Sequence, residues 1–425
     1  MGNTLMLLEA AMAEVVLSVA FRYQPNDEVH KLLVEFREMI NYCIEQAVKQ
    51  GITSYYRLRK SVYEEFKRRW PNYATHYCHS ACRIATSILR SWRRRGREPR
   101  AKKLFMRLDP QLYRFYGDRV RITVAPRQFL WLNLIVGEYQ ARFVDAWKRG
   151  ELKVGEITVN EHYVVVPFRK RVDLENPQDW VALDINESNV SATATDGGQF
   201  VIDLSEVRRV HHAYFEIRRK IQRKFHDKPK LKRKLLEKYS KRERNRIRDL
   251  LHKASRLIVN MTKGKGIVLE NLNGIRKRIH YGRKLNRRLH SWPFHKLQFF
   301  IHYKANLNGQ PVEYVNPAYT SRTCPRCGGR IDSSERRCVK CGLDRDIAAS
   351  INILNKFLAA RCGEQPFPLK APTPPDGGRH FVRTDDISWI VTHVRYLRLT
   401  VQEQYTHVHE FDFHADVHVH PIPNA

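Results

Sequence analysis

The spacing of hydrophobic residues near the start of the chain changes from a strand pattern to a helical one. Residues 14–23, EVVLSVAFRY, show the pattern of a β-strand. A helix capped by Asp27 is predicted next, with apolar residues at helical spacing up to a stop at Gly51. Two more helices are predicted near residues 54–69 and 75–95, and the second runs into the basic segment SWRRRGREPRAKK.

From about Leu104 the hydrophobic pattern repeats every two residues. Short segments of this kind, separated by turn residues, are typical of a small barrel or sandwich. They read YRFYG, RVRITV, FLWLNLIVG and GEITVNEHYVVVPF. Because a strand precedes the helices and more strands follow them, we predict one discontinuous β domain that carries a helical insertion and ends near Val172.

The second half alternates strands with helices, which favours an α/β domain. Three strands are predicted in WVALDINESNVSATATDGGQFVID, with a turn at Asp196-Gly197-Gly198. A charged helical region over 208–256, a buried strand at 267–269, a helix near 293–308, the strand PVEYV and a helix ending near 360 follow. Beyond Cys362 a Pro/Gly-rich linker leads to a His-rich tail.

The net charge of the chain indicates what kind of partner it binds. The 425 residues carry a formal net charge of +32, and 42% of them are hydrophobic, enough to bury real cores. Such a basic excess indicates a polyanionic partner, and nucleic acid fits best because no apolar run is long enough to span a membrane. The N-terminal segment makes a poor signal peptide, since it lacks a basic leader and contains Glu9 and Glu14. We therefore expect a cytoplasmic protein with reduced thiols.

Four of the eight cysteines have the spacing of a zinc site. Cys324, Cys327, Cys338 and Cys341 form two Cys-x2-Cys pairs ten residues apart, each beside glycines that permit a tight turn. Four thiolates saturate tetrahedral Zn²⁺, so the predicted site is structural. The other four cysteines lie in helical stretches and are interpreted as core residues: Cys43, Cys78, Cys82 and Cys362.

Three acids occupy chemically unusual positions. Asp184 and Glu270 each close an apolar strand, and Asp346 lies at the start of a helix, where it could be a simple cap. Each alone fits a salt-bridged or capping carboxylate, but together they suit Mg²⁺ or Mn²⁺, which prefer carboxylate oxygen. Two such ions would catalyse phosphodiester hydrolysis. Of the two nearby acids, we expect Asp346 rather than Asp344 to face the site.

Four blocks in order resemble the RuvC-type nuclease half of TnpB (OrfB) proteins, which insertion sequences encode and which are similar to type V CRISPR effectors. The blocks are LDINESNVSAT, IVLENLNGIRKRI, WPFHKLQFFIHYKANLNGQPVEYVNPAYTSRTCPRCG and CGLDRDIAASINIL. The resemblance covers roughly residues 12–361. The family usually has Gly at position 186 and Asn at position 348, where this chain has Asn186 and Ala348. It also starts near Met12, so residues 1–11 are expected to precede the true start.

The resemblance implies an RNase H-like (RuvC) nuclease domain with an inserted zinc knuckle, preceded by a small β-barrel wedge domain that carries a helical recognition lobe. The expected boundaries are 12–24 and 104–172 for the wedge domain, 25–103 for the recognition lobe, 178–323 and 342–361 for the nuclease domain, 324–341 for the knuckle, and 363–425 for an atypical tail. It implies a catalytic triad of Asp184, Glu270 and Asp346 and the cysteines as zinc ligands.

The implied activity is cleavage of double-stranded DNA guided by a transposon-derived RNA, in a prokaryotic, nucleoid-associated protein. The sequence leaves open whether the protein is a monomer or a dimer. Basic residues next to an aromatic one are the candidate nucleic-acid contacts: Trp92, Arg93, Arg94, Arg95 and Arg97. A second basic run follows Glu270: Arg276, Lys277 and Arg278. Two alternatives stay open, namely a nucleic-acid-binding regulator with an inactive site and a protein that serves DNA transposition.

Overall fold

A computed structural model describes residues 11–92, 99–272, 282, 285–286, 289–290, 292–332, 334–362 and 418–421. The chain divides into two compact units. The first consists of the described residues of Glu14–Arg171 and Glu410–Ala425, and the second of those of Met1–Ala13 and Val172–His409. Among the described residues, no helix combines the length and the apolar character needed to cross a bilayer.

The first unit is a nine-stranded sheet with helices. Its strands are β1 (Met12–Tyr23), β2 (Phe105–Leu108), β3 (Tyr113–Phe115), β4 (Arg119–Ala125), β5 (Gln128–Ile135), β6 (Lys153–Val154), β7 (Ile157–Asn160) and β8 (Tyr163–Asp173). Their order is β2-β7-β8-β1-β5-β4-β3, with β6 paired to β8 and a strand at His418–Pro421 paired to β1. Its helices are α1 (Asp27–Lys49), α2 (Tyr55–Arg69), α3 (Tyr77–Trp92) and α4 (Glu138–Lys148).

One hydrophobic core joins the helices to this sheet. Phe36 of α1 and Tyr77 of α3 pack edge to face with ring centroids 5.8 Å apart. Phe21 and Phe168 from the sheet lie in the same core. The thiols of Cys43, Cys78 and Cys82 are buried there, as expected; the side chain of Cys362 lies outside the described residues.

Two local predictions in this unit were wrong. The cap of α1 is Asn26, whose Oδ1 accepts the Val29 N–H at 2.8 Å, while Asp27 is the first helical residue, where its charge favours the helix dipole. Helix α4 interrupts a stretch that was expected to contain strands alone. Its weak signal has a physical reason: Val144 is its one fully buried residue, so a helical stripe is hardly visible in the sequence.

The second unit is a five-stranded mixed sheet with helices. Its strands are β9 (Trp180–Ile185), β10 (Asn189–Ala194), β11 (Gln199–Asp203), β12 (Gly266–Glu270) and β13 (Val312–Val315). Its helices are α5 (Ser205–Lys224), α6 (Pro229–Met261), α7 (Phe294–Leu307) and α8 (Arg345–Cys362). The charged helical region expected over 208–256 is therefore a pair of helices, α5 and α6.

The strand order is β11-β10-β9-β12-β13, with β11, β10 and β9 antiparallel and β9, β12 and β13 parallel. Every residue of β9 is buried, as its continuous apolar run indicates for a central strand. Gly266 on β12 pairs with Trp180, and a Cβ at this glycine would meet the indole at 2.4 Å. Phe357 of α8 packs on the same indole, with centroids 4.4 Å apart, so this helix covers the centre of the sheet.

Candidate active site and zinc site

Two of the three predicted carboxylates stand side by side at one edge of the sheet. Strands β9 and β12 are parallel neighbours with Leu183 paired to Leu269, so Asp184 and Glu270 are the next residues along each strand. The carboxyl ends of parallel strands meet at the same edge, which is where ligands bind in open α/β sheets. The two acids that each close an apolar strand in the sequence therefore lie next to each other in the structure.

Burial makes the Asp184 carboxylate hard to ionise. Its side chain is almost completely enclosed, and this burial, followed by the nearby charge of Glu270, raises the pKa of Asp184 to about 7. The charge of Asp346 acts in the same direction, while a hydrogen bond from Asn186 opposes it. Like charges held together in a partly dry setting are stabilised by a cation among them.

A threonine that sequence reasoning missed holds Glu270. The buried hydroxyl of Thr320 donates to Glu270 Oε1 at 2.5 Å, and this bond opposes the effect of burial, which raises the pKa of Glu270. Asn352 of α8 donates to the carbonyl of Thr320 at 2.7 Å, which fixes the loop after β13. The one available sequence signal was the place of Thr320 between β13 and the first cysteine.

The helix start separates the roles of the two acids near α8. The Oδ1 atom of Asp344 accepts the backbone N–H of Asp346 at 2.9 Å, so Asp344 is the cap and the alternative of Asp346 as a simple N-cap is wrong. The Asp346 carboxylate instead accepts a hydrogen bond at its Oδ2 from the Asn189 amide at 2.8 Å. Asp346 therefore does not cap the helix, and its carboxylate is bonded to the first residue of β10.

Two asparagines connect the first and third acids. The Nδ2 atom of Asn186 donates to Asp184 Oδ2 at 2.7 Å and to Asn189 Oδ1 at 3.2 Å. Asn189 in turn donates to Asp346, which completes a chain of carboxylate, amide, amide and carboxylate. Asn186 therefore does more than replace a glycine, because its side chain orients an acid and contacts the second amide.

The three carboxylates form a donor set of hard oxygens that fits Mg²⁺ or Mn²⁺. Asp184 and Asp346 each have one oxygen that accepts a hydrogen bond from an asparagine amide. Their oxygens and those of Glu270 do not all lie within 4.8 Å of one another. Among the described residues, only the four cysteines make so compact a group of three or more His, Cys, Asp or Glu ligands.

The four cysteines do come together. Cys324 Sγ lies 3.4 Å from Cys341 Sγ, and Cys327 Sγ lies 3.5 Å from Cys338 Sγ, near the roughly 3.8 Å edge of a tetrahedron with 2.3 Å Zn–S bonds. A hydrogen bond from the Cys341 backbone N–H is the main cause that lowers the pKa of Cys338 to about 7, whereas burial is the main cause that raises the pKa of Cys324. This cluster is compatible with zinc.

Each Cys-x2-Cys pair is built on the same turn. Gly328 N–H donates to the Cys324 carbonyl at 2.9 Å, and Gly342 N–H donates to the Cys338 carbonyl at 2.8 Å. Both glycines have positive φ, 67° and 70°, a conformation that other residues adopt only with strain. Glycine is therefore favoured at these two turns because of the backbone conformation that they require.

The zinc cluster is continuous with the start of α8. Ala348 is buried in a small group with Cys324, Ile331 and Cys338. The small side chain that departs from the family pattern therefore packs the knuckle onto the helix that carries Asp346. Two residues later, the Ser350 hydroxyl is hydrogen-bonded to that of Thr193 on β10 at 2.7 Å, which anchors the same helix to the sheet.

The predicted nucleic-acid contacts lie mostly outside the described residues. These are Arg93, Arg94, Arg95, Arg97, Arg276, Lys277 and Arg278. Trp92 is described: it is half-buried and packs against the core of the first unit. Its indole therefore contributes to packing, and its role as a nucleic-acid contact stays a prediction.

Two family models match parts of the chain. The uncharacterized protein MJ0013 family matches residues 32–123, and the Cas12f1-like TNB domain matches residues 294–353, which include the zinc cluster. Among solved structures, the chain is similar to Cas12f1 in a complex with sgRNA and target DNA. That match has a TM-score of 0.56 and 12% identity and covers 80% of this chain and 99% of that one, which shows a shared fold.

Several curated proteins are similar in sequence. A TnpB-like protein of Methanocaldococcus jannaschii, MJ0751, is 38% identical over 258 residues, covering 58% of this chain and 93% of the relative. A second from that organism, MJ1635, is 29% identical over 374 residues, covering 81% and 85%. The CRISPR-associated endodeoxyribonuclease Cas12f2 of a Micrarchaeota archaeon is 34% identical over 125 residues, 25% of this chain and 23% of that protein. The resemblance found in the sequence motifs is thus confirmed, and the chain belongs to the TnpB-like protein family.

Proposed function

We propose that this protein is an RNA-guided DNA endonuclease of a transposable element that hydrolyses phosphodiester bonds at Asp184, Glu270 and Asp346. One observation carries the proposal: Asp184 and Glu270 lie at the ends of adjacent parallel strands, and two asparagine amides connect Asp184 to the third acid, Asp346, on a helix. Asp184 is buried beside Glu270 and Asp346, and together burial and these charges outweigh the opposing charge of Arg345, so that its pKa is raised.

The order and directions of the strands support an RNase H-like (RuvC) nuclease domain, in which the zinc knuckle is inserted between β13 and α8. The names of the relatives support the same activity, since Cas12f2 is an endodeoxyribonuclease and the Cas12f1 structure contains a guide RNA and target DNA. In this proposal, residues 12–24 and 104–172 form the wedge domain and 25–103 the recognition lobe, and the basic surface holds the RNA and the DNA backbone.

Three carboxylates of this chain would hold the catalytic ions. When bound, Mg²⁺ or Mn²⁺ supplies Lewis-acid stabilisation of the attacking water and of the leaving 3′ oxygen. Asn186 and Asn189 orient Asp184 and Asp346 from one side, and Thr320 orients Glu270 from the other. The protein thereby fixes the direction of each carboxylate before substrate binds, which is the positioning that catalysis requires.

Cleavage by matched variants tests this proposal. The full chain is co-expressed with RNA from the end of its element, purified, and given a supercoiled plasmid that carries the matching sequence and Mg²⁺. We expect linear product from the wild type and from Asp344→Asn, which keeps the helix cap, and none from Asp346→Asn.

Cleavage by Asp346→Asn at the wild-type rate would refute the assigned site. Stable, specific DNA binding by the wild type without any cleavage would instead support the alternative, a nucleic-acid-binding regulator.

A further inference from the structure

The solvent side of the hairpin β4–β5 carries aromatic residues where polar ones are usual. Along both strands, apolar side chains alternate inward, as Val120, Ile122, Leu130 and Leu132 do. On the outer side, Phe129 is 45% exposed, Trp131 is 44% exposed and the adjacent Tyr116 is 41% exposed. Large rings at neighbouring outward positions form a contiguous patch of the kind that marks a binding surface.

Arginines lie over these rings. The Arg119 guanidinium lies 5.2 Å from the centroid of Trp131 and 5.6 Å from that of Tyr116, and Arg121 lies 4.3 Å from that of Phe129. The rings of Tyr116 and Trp131 are 5.5 Å apart. Each cation is thus held in place by cation–π contact.

The charges of this patch are not neutralised within the described structure. Arg114 on β3 is directly opposite Arg121, and like charges at such paired positions repel. Among the described residues, no carboxylate is found in an ion pair with Arg114, Arg119 or Arg121; Arg114 donates instead to the backbone carbonyls of Pro110 and Tyr113, and the Nε of Arg121 is buried without a hydrogen-bond partner. An anion beside these guanidinium groups would balance their charge.

We define the aromatic–arginine face by the residues that share these properties: Arg114, Tyr116, Arg119, Arg121, Phe129 and Trp131. Rings that accept a base on one side and arginines that pair with phosphate are the combination that binds single-stranded nucleic acid. A second copy of this chain is disfavoured, because its net charge of +32 would be repelled by the same arginines.

We propose that the aromatic–arginine face binds unpaired nucleotides of the guide RNA, stacking bases on Trp131 and Phe129 and pairing phosphates with Arg119 and Arg121. The inference rests on the proposed function for the identity of the RNA. Bases inside a duplex expose only their edges, so target DNA offers no faces to these rings until it is opened, whereas a folded RNA has unpaired loops from the start.

Binding of fluorescein-labelled oligoadenylate RNA to the full chain tests the stacking. Loss of one base–aromatic stack of about 1–3 kcal/mol raises Kd roughly 5- to 150-fold, which we expect for Trp131→Ala, while Trp131→Phe stays near the wild type. Ile135→Ala is the matched control, because Ile135 lies on the same strand, is 61% exposed and has no ring. An equal change in Ile135→Ala, or none in Trp131→Ala, would overturn the proposal.

The arginines have a separate signature. Arg121→Ala should lower the dependence of log K on log salt by about 0.7, the value for one phosphate contact on a single strand, and Trp131→Ala should leave this slope unchanged. A salt dependence that is unchanged in Arg121→Ala but lowered in Trp131→Ala would contradict the proposed contact between Arg121 and phosphate.

Ultraviolet cross-linking of the assembled RNA–protein–DNA complex identifies the occupant. We expect RNA adducts on the peptide that contains Phe129 and Trp131, and adducts with DNA or with another protein alone would overturn the choice of RNA. The plasmid assay on the same preparations separates the two hypotheses: guided cleavage by a wild type whose face does not bind RNA refutes this inference and leaves the proposed function intact. A face that stacks RNA in a protein that never cleaves refutes the proposed function alone.

Discussion

The amide chain makes a sharp prediction for Asn189→Ala. In the wild type, Asn189 donates to Asp346 at 2.8 Å and accepts from Asn186 at 3.2 Å. Alanine removes both bonds, so the Asp346 carboxylate loses the donor that fixes its direction. The bond from Asn186 to Asp184 stays, and the damage is therefore confined to the third acid and its share of the proposed metal site.

Two magnitudes follow from this geometry. A hydrogen bond to a charged group contributes about 1.5–3 kcal/mol, but Asp346 is only half-buried, so water will replace part of it and folding should lose about 1 kcal/mol. Metal sites respond more strongly, because losing a group that orients a ligand typically lowers metal affinity about 10- to 100-fold. We expect a weakening of that size in Mn²⁺ affinity.

Electron paramagnetic resonance of free Mn²⁺, titrated with RNA-free protein, measures the affinity directly. Gln199→Ala is the control, since it removes an exposed amide from the adjacent strand β11. The same Mn²⁺ affinity in Asn189→Ala and Gln199→Ala, together with unchanged plasmid cleavage, would refute the orienting role of the amide chain.

Three further predictions concern other parts of the second unit. Thr320→Val removes the hydroxyl bonded to Glu270 and should lower cleavage about 10-fold or more, whereas Thr320→Ser should retain most of it; single-turnover rates decide. Cys338→Ser should abolish stoichiometric zinc in mass spectrometry and lower Tm, and a variant that keeps both would show that the cysteines do not bind the ion as proposed. Burial lowers the pKa of Lys304 from 10.5 to about 8, so the unfolded state binds more protons than the folded state between these values and the free energy of unfolding should rise with pH there. Urea denaturation of Lys304→Met should lack this rise, and an equal rise in both proteins would contradict the assignment.

Much of the candidate site was visible in the sequence because its signals are local. An acid that closes an apolar strand, as in WVALD and GIVLE, is costly without a purpose, and Cys-x2-Cys pairs specify their own turns. The alternation of strands and helices gave the order of the elements in the second unit. These features depend on short stretches of chain, which a sequence displays directly.

The parts that were missed depend on contacts between distant segments. Asn189 and Asp346 are separated by 157 residues and Thr320 and Glu270 by 50, and nothing in the spacing of these residues indicates that they meet. Asn186 was noted as a departure from the family pattern, but its bond to Asn189 required the turn between β9 and β10 to be known. Polar residues near a site become interpretable only when the fold gives them a direction.

The aromatic–arginine face had a sequence signal that was not used. In RVRITV and FLWLNLIVG the inward positions are aliphatic, so Phe129 and Trp131 occupy outward positions of an alternating strand. Large rings at the polar phase of such a pattern are unusual, and together with arginines on the adjacent strand they indicate a binding surface. The arginines beside Trp92 are consecutive in the sequence and therefore easier to recognise than the arginines of this face, which are spread over two strands.

Retargeting tests the central claim most directly. The purified protein is loaded with either of two RNAs that differ only in their guide segments, and each complex is mixed with a plasmid that carries both matching targets. The proposed function predicts that the position of the cut moves with the guide and that Asp184→Asn abolishes both cuts. Cleavage at the same position with either RNA, or cleavage that survives Asp184→Asn, would contradict it.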